Sequence, residues 1–148
     1  MYITITKRFY YINDFENEIK MTTLELAELV IWQCFDKVEP ATKVTLNCYL
    51  FLMNEYSVKA LNRPLTNSLW FCFDKNYPYV SEVADRYPYP GEIVPIGERP
   101  RTELPRELTW FLDGLIEYNK KNPFKIVEDC KKLKKSFSDV YNDLINGV

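Results

Sequence analysis

Residues 42–61 contain neither glycine nor proline, and within them Leu46, Tyr49, Leu50, Phe51, Leu52 and Met53 point in nearly every direction around a helix. A helix apolar on all sides must be covered on all sides. The rest of the chain is therefore expected to wrap around it, and Asn62-Arg63-Pro64 to end it. With 148 residues, 47% hydrophobic and 16% aromatic, the chain can build such a core without disulfides or a metal. The same composition excludes disorder for most of its length. The expected fold is mainly α (α+β): a compact helical domain around a central hydrophobic helix, with a small β element.

The flanking segments supply the wrapping. Thr22 and Glu25 fit a capping box, in which each side chain satisfies a free N–H of the first turn. That predicts a helix to about Phe35, ending before Pro40. Met21 also reads as an internal start, which makes residues 1–20 an N-terminal extension and 21–148 one helical domain. In that extension, residues 2–12 alternate like an edge strand, with Lys7 and Arg8 discouraging further pairing. Residues 68–73 are short, aromatic and bounded by turn residues, and 93–96 add a second short strand limited by Pro95. Tyr79 to Tyr87 fits a two-turn helix. Pro105 suits a first helical residue, and Leu108, Phe111, Leu112, Leu115 and Ile116 then form one buried face. Asn122-Pro123 restarts a helix, whose seam runs Ile126, Cys130, Leu133, Phe137, Val140, Leu144.

The chain has no histidine, so a catalytic triad, a Cys–His pair, a His base and a His metal site are excluded. Its four glycines write no phosphate loop. Cys34, Cys48, Cys72 and Cys130 form no CxxC, so no zinc site and no cofactor is expected, and the thiols read as small buried hydrophobes. No signal peptide and no membrane span is expected, which places the chain in a reducing cytoplasm. The net charge is -2, an argument against nucleic acid as a partner. The Lys131, Lys132, Lys134, Lys135 cluster accordingly reads as a solvated helix face.

Other constellations also favour bland readings. Carboxylate pairs such as Glu25/Glu28 read as solvated or capping groups, and Cys72 as a buried thiol with no base to activate it. The seam from Ile126 reads as packing on its own domain, with a homodimer as the alternative. The Tyr/Pro segment is more informative. Tyr77, Pro78, Tyr79, Tyr87, Pro88, Tyr89 and Pro90 fall within fourteen residues. Tyrosine gives large contact area with little entropy loss, so these rings read either as a protein-binding surface or as a lid on the domain's own core.

The order of phrases resembles the Panacea domain of SocA-like antitoxins. Met21-Thr22-Thr23-Leu24-Glu25-Leu26-Ala27 is similar to that family's first helix. Leu46-Asn47-Cys48-Tyr49-Leu50-Phe51 stands where the family has Leu-Gln-Lys-Leu-Leu-Tyr, and Asn62-Arg63-Pro64-Leu65 where it has Gly-Lys-Pro-Leu. Trp70, Phe73 and then Tyr77-Pro78-Tyr79-Val80 echo its Ala-Trp-x-Tyr-Gly-Pro-Val phrase. Tyr118-Asn119 and Pro123 to Val127 follow the order of its later helices. The match spans roughly residues 21–130. Tyr77 replaces the family's glycine, a few residues are inserted between Trp70 and Pro78, and the family's Thr-His is absent.

The resemblance implies a non-enzymatic protein that neutralises a toxin by direct binding. The SocA type instead delivers its toxin to a protease, so a proteolytic adaptor is one alternative. A phage or prophage counter-defence protein of the anti-CRISPR kind, acting on a host-defence factor, is another. The partner-binding residues expected on this reading are Trp70, Phe73, Tyr77, Pro78, Tyr79, Tyr87 and Tyr89, a true hot spot among them contributing up to about 2 kcal/mol.

Overall fold

The computed structural model describes residues 21–66, 69 and 71–133. The expected strand over residues 2–12, the seam positions Phe137, Val140 and Leu144, and Lys134 and Lys135 lie outside them. Among the described residues the chain is mostly helical: α1 (Thr23–Asp36), α2 (Lys43–Leu61), α3 (Ser81–Arg86), α4 (Arg106–Lys121) and α5 (residues 125–133).

Helix α1 starts where the side chains dictate. Glu25 N–H donates to Thr22 Oγ1 at 3.1 Å, and Thr22 N–H donates to Glu25 Oε1 at 2.9 Å, closing the capping box. Helix α2 uses threonine at both positions: Thr45 N–H donates to Thr42 Oγ1 and Thr42 N–H to Thr45 Oγ1. Every residue from Leu46 to Glu55 is buried, polar ones included. Helices α1, α3 and α4 pack against it.

Burial on all sides forces a use for the polar residues of α2, and each of three holds a loop. Asn47 Oδ1 accepts from Val80 N–H at 3.0 Å, Asn54 Oδ1 accepts from Leu65 N–H at 3.0 Å, and Ser57 Oγ donates to the Arg63 carbonyl at 2.6 Å. The buried helix therefore fixes the connections around it, by buried hydrogen bonds at Asn47 and Asn54 and a part-buried one at Ser57. The apolar contacts complete the core. Phe51 meets Phe71 and Phe73 edge-on, at 5.2 and 5.3 Å between centroids, and Tyr56 stacks on Phe111 of α4 at 4.3 Å.

Extended pairing among the described residues consists of two isolated bridges, Cys72↔Tyr79 and Thr42↔Glu92, rather than the strands expected at 68–73 and 93–96. The reason is local. Cys72 and Tyr79 exchange both backbone hydrogen bonds, but Ser81 already opens α3, so the ladder cannot grow. Pro95 removes a donor from the other segment.

The helix ends carry the least expected feature. Helix α1 ends in a Schellman motif: Glu39 N–H donates to the Cys34 carbonyl and Val38 N–H to the Phe35 carbonyl. The residue at its left-handed position is Val38, at φ 57°, where glycine is the usual occupant. A β-branched side chain there is strained. Val38 is 78% exposed, so little burial offsets the strain. Val38→Gly is expected to stabilise the fold by about 1 kcal/mol, read as a higher urea midpoint; a lower midpoint would show that the valine side chain supports the fold.

The α4–α5 corner repeats the theme. A helix restart at Pro123 was the expectation; instead Asn122 caps α4, Phe124 sits at φ 71° and helical residues begin at 125. The left-handed Phe124 cannot join the helix that follows it.

Candidate functional site

The two strained corners flank one groove. It encloses about 750 Å³ between the first turn of α2, the 74–77 loop and the α4–α5 corner. Val44, Ile126 and Val127 supply apolar lining, Tyr77 one wall, and Phe124 another. Glu39, the residue after Val38, lines it too. Phe124 is 82% exposed. A large apolar ring in a disfavoured backbone conformation, contributing almost no burial, does nothing for folding that another residue would not do better.

The 74–79 loop is held together by its own polar groups. The Asp74 carboxylate beside the Tyr79 hydroxyl, as acceptor and as charge, raises that phenol to about 12. Lys75 Nζ lies over the Tyr79 ring, 5.1 Å from its centroid. The Tyr77 and Tyr79 rings are tilted at 60°, with centroids 6.3 Å apart. Burial pushes the Tyr77 phenol up as well, so this wall presents a neutral hydroxyl on an apolar ring. Asn119 also lines the groove, and burial raises the phenol of Tyr49 in the core. The groove thus offers rigid aromatic contact with a polar margin.

The sequence-expected residues take different places. Tyr77 lines the groove and Tyr79 supports it. Pro78 is buried. Phe73 packs edge-on against Phe51. Tyr87 lines a separate hollow of about 100 Å³ beside Trp32, Val94 and Ile96. Tyr89 is 80% exposed and lines neither. Trp70 lies outside the described residues. Trp32, which lines that hollow, also carries the Arg99 guanidinium 4.7 Å from its ring centroid, and Arg99 pairs with Asp36 Oδ2 at 2.6 Å.

Phe124 and Val38 escaped the sequence reading because nothing in the residue type marks a left-handed backbone. Trp110 left a signal that was readable: it falls off the Leu108, Leu112, Ile116 stripe, and it is 71% exposed.

Cys34, Cys48 and Cys130 are buried, whereas Cys72, expected to be a buried thiol, is only half-buried beside its bridge to Tyr79. All four cysteines are free. Burial pushes Cys34 up to about 12, and a hydrogen bond with Cys48 together with burial raises Cys130. Among the described residues no group of His, Cys, Asp or Glu is placed to hold a metal ion, and no helix is long and apolar enough to cross a membrane.

Compared with protein-family models, curated proteins and solved structures, the chain matches none.

Proposed function

We propose that this protein is a non-catalytic inhibitor that neutralises a toxin or a host-defence protein by direct binding, with the partner seated on the groove between Tyr77 and Phe124. The exposed, strained Phe124 carries this reading. An aromatic ring that costs the fold and covers nothing within it is suited to covering something else. Tyr77 supplies the facing contact, and the tilted Tyr79 ring beside it backs it. The order of Panacea-like phrases makes an antitoxin the first class of inhibitor; a phage counter-defence protein uses the same physics on another target. Cytoplasmic action on a cytoplasmic partner goes with this reading.

The test is co-expression with each of the genes that lie beside its own. Rescue of growth, with the partner recovered intact in a stable complex, is the expected result. Rescue accompanied by loss of the partner, restored when the protease is deleted, would identify a proteolytic adaptor instead. Absence of both rescue and complex with every neighbouring product would overturn the reading.

A further inference from the structure

The outer face of α4 has no role in the fold or the groove. Arg106, Glu107, Trp110, Gly114, Glu117 and Lys121 recur at spacings of one, three and four residues, and all six are exposed. They lie opposite the buried Leu108, Leu112 and Ile116. Beside Trp110 is a shallow apolar hollow of about 340 Å³ that Phe111, Gly114 and Leu115 help to line.

Gly114 is out of place by the fold's own standards. It sits inside a helix, where glycine is among the worst formers. A Cβ at this position would meet nothing within 4 Å, and its φ is not positive. Neither a close neighbour nor the backbone therefore requires glycine. One turn earlier stands Trp110, whose ring is 71% exposed. A bulky ring and a notch one turn apart are self-complementary: in an antiparallel pair of α4 helices centred near Leu112, the ring of each copy lies over the notch of the other.

The charges agree with that direction. Glu107 stands in the first turn, and Lys120 and Lys121 in the last. In the register centred near Leu112, antiparallel pairing brings Arg106 beside Glu117, twice; Glu107 comes level with Glu117 on the other edge of the seam, and Lys121 lies past the end of the facing helix, so the Arg106–Glu117 pair carries the charge match. Parallel pairing would bring each of these against its own copy, like against like. Among the described residues none of these four makes an ion pair within its own chain.

We infer that this face is a two-fold homodimer interface, in which Trp110 of each copy packs over Gly114 of the other and the two helices run antiparallel. It shares no lining residue with the groove, so it stands or falls independently of the proposed function.

Sedimentation of the full chain across a dilution series tests it. The expected result is a reversible species of twice the 17.6 kDa chain mass. Trp110→Ala and Gly114→Leu should each weaken it by about thirtyfold or more while leaving helix content unchanged. Arg106→Glu and Glu117→Arg should each give monomers, because each sets like charges together twice. Mixing those two variants should restore a dimer, since each then meets its complement. A wild-type chain that stays monomeric throughout would overturn the proposal, and more so if Trp110→Ala abolished neutralisation, which would give the face to another partner. A dimer indifferent to Trp110→Ala and Gly114→Leu would overturn it too. Failure of the mixed charge variants to pair would overturn the antiparallel arrangement.

Discussion

Asn47→Leu is expected to destabilise the protein by about 2 to 3 kcal/mol, although leucine has nearly the same volume and is more apolar. Asn47 is fully buried. Its side chain accepts from Val80 N–H at 3.0 Å and donates to the Lys43 carbonyl at 2.8 Å. Leucine fills the space and offers no acceptor. The Val80 amide, itself in a buried residue, is then left without a partner, and an unmet buried donor costs more than a new apolar contact returns. The loss should also be directional. Val80 closes the loop that carries Tyr77 and Tyr79, so hydrogen exchange at the Val80 amide should accelerate more than exchange in the middle of α2. Urea unfolding read by circular dichroism gives the first quantity, and amide exchange the second. A change within about 0.5 kcal/mol would mean that the loop is held by its rings alone.

This prediction shows where sequence and structure part company. The reading of residues 42–61 as one helix came from the absence of glycine and proline and from apolar residues on all sides. Both are local properties. The Thr22–Glu25 capping box was legible for the same reason, since its chemistry depends on two side chains three residues apart. The use of Asn47, Asn54 and Ser57 as anchors was not legible. Their partners are Val80, Leu65 and Arg63, and the most distant lies thirty-three residues along the chain.

The aromatic segment shows the converse. Tyr77 and Tyr87 are close in sequence, and six helical residues of α3 fall between them. That helix, only about 9 Å long, is enough to send one ring to the groove and the other to the hollow beside Trp32. Closeness in sequence does not guarantee a shared surface. The left-handed residues were the least legible of all. Asn62, at φ 58°, is an ordinary occupant of such a site, whereas Val38 and Phe124 are not. A preference for glycine predicts where the chain should turn, not where it turns in spite of the side chain.

Phe124→Gly is the second large effect, and its two halves have opposite signs. Glycine removes the strain at φ 71° and, because the ring is 82% exposed, removes little buried area. The fold should gain about 1 kcal/mol. Glycine also removes the ring from the groove's wall, and the loss at an interface anchor is about 2 kcal/mol, or roughly thirtyfold in affinity. A residue kept for folding would lose both together or neither. The deciding measurement is the affinity of the purified Phe124→Gly protein for the partner that the wild type neutralises, taken beside its urea midpoint. The account predicts a higher midpoint with affinity reduced about thirtyfold. A higher midpoint with affinity equal to the wild type would contradict it, because the ring would then touch nothing in the complex.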